Sequence, residues 1–156
     1  MKAFLIIGNL NAVTYKEVFP MIKAGEVRLG VHTNTTMRFV SPYENVQGDG
    51  NEIAVPAVTW YTTLSHDRIN PPLTLTATYT PEAYPKYDNY DAIEVGRTED
   101  IPRDYYGVMG VPISFLDKWN KEQFEIVGNE DSLNIAKGRC YLNGKRLYAK
   151  ILIKRR

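Results

Sequence analysis

The alternation of apolar and polar residues sets the first expectations. Ala3 to Ile7 is a short apolar run with aromatic and β-branched members, which predicts a buried strand ending at Gly8-Asn9. Thr14-Tyr15-Lys16-Glu17 has the capping-box pattern, so a helix is expected next, with Val18, Phe19, Met21 and Ile22 inward and Gly25 as its stop. Pro20 inside that helix predicts a kink or two short pieces. Glu26 to Val31 and Met37 to Val40 read as strands joined by the polar turn His32 to Thr36, and Ser41 to Glu52 reads as a loop. Ile53 to Thr63 reads as a strand bent at Pro56. Leu73, Leu75, Ala77 and Tyr79 alternate with Thr74, Thr76 and Thr78, the clearest period-2 pattern in the chain.

Ala92 to Val95 and Phe124 to Val127 are further short strands by the same reading, and Ser114 to Asn120 is helical with Phe115, Leu116 and Trp119 on one side. The chain closes on a hairpin turning at Asn143-Gly144, the pair that best tolerates the positive φ angles of a type I′ turn. Its second strand places Leu147, Ala149, Ile151 and Ile153 on one face and Arg146, Tyr148, Lys150 and Lys154 mostly on the other. The sum is an α+β chain: a strand-rich mixed sheet with two or three short helices, in one domain over residues 1–156.

Composition narrows the class. Apolar residues make up 44% of the 156 and charged residues 24%, as in an ordinary globular protein, and the length suffices for a real core. No apolar run approaches the roughly 20 residues that span a bilayer, so no membrane partner is expected. The single Cys140 excludes an internal disulfide and fits a cytoplasmic protein, and two His with one Cys exclude an all-His/Cys zinc site.

Net charge is +1, yet its distribution is uneven. Lys145, Arg146, Lys150, Lys154, Arg155 and Arg156 crowd the last twelve residues without an acid among them, while Asp88 to Asp104 is mostly acidic. A basic end of this kind either attracts phosphates or serves as a solvated tail. Of the eleven tyrosines, Tyr79, Tyr84, Tyr87 and Tyr90 cluster. Such rings more often bury an edge in the core than stack on bases, and the neighbouring acids would repel phosphate.

Five segments carry a family resemblance: Phe4-Leu5-Ile6-Ile7-Gly8-Asn9-Leu10-Asn11-Ala12; Trp60-Tyr61-Thr62-Thr63-Leu64, with His66 and Arg68 after it; Tyr84-Pro85-Lys86-Tyr87-Asp88-Asn89-Tyr90-Asp91-Ala92-Ile93; Gly107-Val108-Met109-Gly110-Val111-Pro112-Ile113, leading to Phe115-Leu116-Asp117; and Gly144-Lys145-Arg146 with Tyr148. In this order, over nearly the whole chain, they resemble the C-terminal part of an EcoRI-type adenine-specific DNA methyltransferase of a restriction-modification system.

The resemblance implies the late part of a methyltransferase fold plus a target-recognition region, and DNA as partner. Family enzymes transfer the methyl group of S-adenosylmethionine to the exocyclic nitrogen of adenine, which they flip out of the helix. The glycine-rich cofactor turn and the Pro-Pro-aromatic motif that serve this step are missing here. Gly8 is followed by Asn9-Leu10-Asn11, and in the family this strand lies after the Pro-Pro motif. Asn70-Pro71-Pro72-Leu73 imitates that motif, but Leu73 cannot stack on a base and Ser65-His66-Asp67-Arg68 before it is polar. The expectation is therefore a fragment without catalytic or cofactor-binding residues of its own.

DNA contacts are expected at His66, Arg68, Arg146, Tyr148, Lys150 and Lys154, with weak and salt-sensitive binding. A separately encoded N-terminal half that restores activity is the enzymatic alternative, and a structural module without a nucleic-acid role is the third. Self-association through an exposed apolar edge is expected in each case.

Overall fold

A computed structural model describes residues 3–30, 35–42, 52–65 and 70–156. The expected turn at His32 to Thr36, the loop at Ser41 to Glu52 and the candidates His66 and Arg68 fall wholly or partly outside these residues.

The first sheet is organised around β4 (Glu52–Thr62), with β1 (Leu5–Asn9) along one side and β2 (Arg28–Leu29) and β3 (Thr35–Val40) along the other. All pairings in it are antiparallel. The bend expected at Pro56 takes the form of a register shift. Thr35 pairs with Val58 but Met37 with Val55, and Ala57 takes a left-handed φ of 54°. Proline offers no N–H to the ladder, so the irregularity falls where a ladder bond is already missing.

Between β1 and β2 the chain runs through a 3-10 turn, Leu10–Thr14, into α1 (Val18–Ala24). Thr14 ends that turn rather than capping the helix, because its hydroxyl donates to the Asn11 carbonyl at 2.9 Å. Glu17 makes no side-chain cap, so the capping box does not form. Pro20 sits within the first helical turn, where its missing N–H costs no bond, and the helix stays in one piece. Gly25 ends it as expected, at a φ of 76°.

The second sheet runs β5 (Ile93–Glu94), β6 (Met109–Pro112), β10 (Lys150–Arg155) and β7 (Phe124–Asn129). Its β5–β6 pair is parallel and the others antiparallel. β10 is thus an interior strand, covered on both faces. Ile151 and Ile153 join the main core with Phe19, Ile22, Ile93, Val111, Phe115 and Phe124, which lies between the two sheets and α1. Leu152 packs on the other side with Tyr87, Ala92, Ile135 and Cys140.

Residues 73–79 keep their alternation but pair with no strand. Leu73, Leu75, Ala77 and Tyr79 rest on the core while the threonines between them stay exposed. The backbone there is held mostly by side chains instead: Gln123 accepts from Leu73 N at 2.6 Å and donates to Leu73 O at 2.8 Å, and Asp104 accepts from Tyr79 N at 2.8 Å, while Arg103 N donates to Ala77 O at 2.9 Å. The expected helix after Ser114 is a 3-10 turn, Ile113–Asp117. No described helix is long and apolar enough to cross a membrane.

Candidate nucleic-acid interface

The hairpin signal is fulfilled only at its tip. β8 (Tyr141–Leu142) pairs with β9 (Lys145–Arg146), and Asn143 and Gly144 take φ angles of 50° and 74° at the turn. Asp88 fixes it by accepting from Asn143 N at 3.1 Å and Gly144 N at 2.8 Å. Asn89 accepts from Tyr141 N at 3.0 Å and donates to the carbonyls of Ala136 and Arg139 at 2.9 and 2.8 Å. An acidic stretch that would repel phosphate thus serves partly as the scaffold of the basic hairpin.

After Arg146 the chain leaves β8, and from Lys150 it joins β6 and β7. The expected continuous second strand is therefore two strands in two sheets. This corrects the placement of Lys150 on an outward basic face. Lys150 is buried, and its ammonium lies 2.5 Å from Glu94 Oε1. Tyr87 donates its hydroxyl to the other oxygen of Glu94 at 2.5 Å. Lys154 is exposed but stands along the interior strand, in register with Glu125.

What the structure brings together is an open groove of about 630 Å³. Asn11, Thr14 and Tyr15 form one wall, and Arg139, Arg146 and Tyr148 stand on the other. Tyr15 is 56% exposed and Tyr148 93%. Arg146 is exposed, whereas Arg139 is half-buried, donating to Gly138 O at 2.7 Å and lying 3.5 Å from Glu130.

Two adjacent residues at the end of β7 set both walls. Asn129 donates to Thr14 O at 3.0 Å. Glu130, only 2% exposed, accepts from Cys140 N at 2.7 Å and Lys150 N at 3.3 Å, so one carboxylate pins both ends of the hairpin excursion. Sequence reasoning passed over Asn129-Glu130. The signal available was an acid directly following a strand, which reads equally as a turn. Burial, and then repulsion from Glu130, push the Cys140 thiol up to about 12, so it is an inert buried group.

Two segments named in the sequence, at Gly8 and Asn70-Pro71-Pro72, have local packing partners in the structure. Gly8 lies beneath the Tyr61 ring, where an added Cβ would stand 3.1 Å from it, so its smallness accommodates that side chain. In the Pro-Pro segment Asn70 donates its amide to Trp119 O at 3.0 Å, and Asn120 donates to Asn70 O at 2.7 Å. These bonds make it a tethered loop. Among the described residues, no group of three or more His, Cys, Asp or Glu is placed to hold a metal ion.

Comparison with known proteins decides the family. The chain matches the family described as adenine-specific methyltransferase EcoRI over residues 1–156. It belongs to that EcoRI methylase family. Among its relatives, the type II methyltransferase M.EcoRI of Escherichia coli is 45% identical, over 98% of this chain and 50% of its own. The type II methyltransferases M.MgeORF184P of Mycoplasma genitalium and M.MpnI of Mycoplasma pneumoniae are each 31% identical, over 99% of this chain and 57% of their own. The chain therefore spans about half the length of the curated relatives it matches. No solved structure gives a significant match.

Proposed function

We propose that this chain is the DNA-contacting part of an adenine-specific methyltransferase of a restriction-modification system, and that alone it transfers no methyl group. The observation that carries the proposal is the groove, in which an exposed Arg146 and two exposed tyrosines stand on walls held by hydrogen bonds. Arg146 supplies the phosphate contact, while Arg139 beside it is paired with Glu130 and helps hold the wall. Tyr148 and Tyr15 offer ring faces to sugar or base. Arg68 and His66 belong to the proposal on the family resemblance alone, and Lys154 as a contact outside the groove. S-adenosylmethionine is the methyl donor of the intact family enzyme, and its binding is assigned to the half of the relatives that this chain does not span.

The test is fluorescence anisotropy with an unmethylated duplex across a salt series, beside methyl incorporation from labelled S-adenosylmethionine. The expected result is no incorporation and binding that falls steeply with salt. Each phosphate contact contributes about 0.9 to the log–log slope. Incorporation by the chain alone, or binding indifferent to salt, would refute the proposal.

The second reading, one half of a split and active methyltransferase, is favoured by a different observation, the bare apolar strand β1.

A further inference from the structure

Leu5, Ile6 and Ile7 of β1 are 54%, 56% and 40% exposed. Consecutive strand residues point to opposite faces, so both faces of β1 are bare and apolar. A run of this kind is typical of a strand buried on both sides. The sequence predicts that burial, and the structure leaves it unmet. On the face shared with Tyr61, an apolar cleft of about 250 Å³ opens between Phe4 and Ile6 on one side and Val18, Met21 and Val27 on the other. On the opposite face Leu5 and Ile7 stand beside half-buried Trp60, with which Ile7 is in register. Among the described residues β1 pairs with β4 alone, which leaves its outer backbone edge open to another strand.

The occupant has to satisfy all three features. A second copy joined edge to edge about a two-fold axis perpendicular to the sheet would lay its own α1 on the Ile6 face, the side on which α1 of the first copy stands. Leu5 and Ile7 would remain bare. A partner bringing both a strand and a covering layer meets the requirement, and the relatives possess a further half of their length that this chain does not span. From this we infer that β1 is the docking strand for that other half of the methyltransferase. The partner extends the first sheet along the β1 edge, seats apolar side chains in the cleft and covers Leu5 and Ile7. The inference rests on the family-based reading above and adds to it the surface and the mode of attachment.

The experiment mixes the full chain with the separately expressed half of the Escherichia coli relative that the match leaves uncovered. Sedimentation velocity reads the complex. A one-to-one complex is expected, weakened on the order of a hundredfold when Leu5→Lys and Ile7→Lys are combined, since two buried aliphatics are lost. Absence of a complex, or one indifferent to these substitutions, overturns the inference. So does a homodimer of the chain alone that the same substitutions dissolve. Should the double variant melt below the wild type, hydrogen exchange on the wild-type complex decides instead: slowed amides at residues 5–9 support the inference and unchanged ones overturn it. DNA binding is measured on the same samples. A complex that forms without salt-sensitive DNA binding overturns the groove reading and leaves the docking strand standing, and the converse result does the reverse.

Discussion

Replacing Lys150 separates a basic residue proposed to bind DNA from one that holds the fold. Its ammonium lies 2.5 Å from Glu94, and the two side chains are only 7% and 17% exposed. Lys150→Met removes the cation and leaves the Glu94 carboxylate with the Tyr87 hydroxyl as its remaining partner in a nearly dry site. Breaking a buried pair from one side costs about 3–5 kcal/mol, because the surviving charge is uncompensated. For a chain of this size each kcal/mol moves Tm by roughly 2–4 °C, so a fall on the order of 10 °C is expected. Adding Glu94→Gln should recover most of it, since the orphaned charge is then gone. Salt-dependent DNA binding, measured well below the melt, should keep its slope. Arg146→Ala should do the opposite, with Tm nearly unchanged and a slope shallower by about 0.9. The assays are circular dichroism melts and anisotropy titrations. A Lys150→Met protein that melts with the wild type but loses salt-sensitive binding would refute the reasoning.

Three other outcomes follow from the same packing. Gly110→Ala should destabilise the fold by a few kcal/mol, because the new methyl would run into the Tyr87 hydroxyl, whose proton goes to Glu94; thermal melts check it. Glu130→Gln should loosen residues 140–150, seen as faster amide exchange there, since one amide oxygen cannot accept at both Cys140 and Lys150. Stability should fall as pH rises from about 9 towards 12. Burial holds Cys140 and Tyr61 up to about 12 and pushes Tyr87 higher, so the folded chain keeps protons that the unfolded chain releases, by about 1.4 kcal/mol per proton and pH unit. A melting temperature flat from pH 8 to 11 would contradict it.

Much of the fold was legible where one residue has one physical meaning. Gly25 and Asn143-Gly144 marked a helix end and a turn because positive φ restricts the choice of residue, and Pro56 marked an irregular ladder because it has no N–H. Alternation was less informative. It found which residues of 73–79 face the core, yet it could not say that side chains and a loop amide rather than a neighbouring strand would satisfy that backbone. The capping box failed because Thr14 already closes a 3-10 turn begun at Leu10, a competing local structure with its own hydrogen bond. For the candidate site, Arg146 and Tyr148 were readable from their place beside the turn. Glu130 was not, since its meaning depends on backbone ten and twenty positions away.

Lys150 shows why charge on a strand is ambiguous in a single sequence. An outward cation on an edge strand and an inward cation on an interior strand leave the same alternation, and the partner that distinguishes them, Glu94, is 56 residues away. The burial of Lys150 in turn strengthens the case for the groove. With its ammonium held by Glu94 inside the second sheet, β10 is fixed at its first residue, where Glu130 also holds the backbone N–H. The basic hairpin therefore projects from a rigid base at both ends, and Arg146 and Tyr148 are presented at set positions opposite Tyr15. On the proposed reading, such a base would let two or three side chains contact a phosphate backbone without ordering a loop on binding, which would otherwise offset part of the affinity.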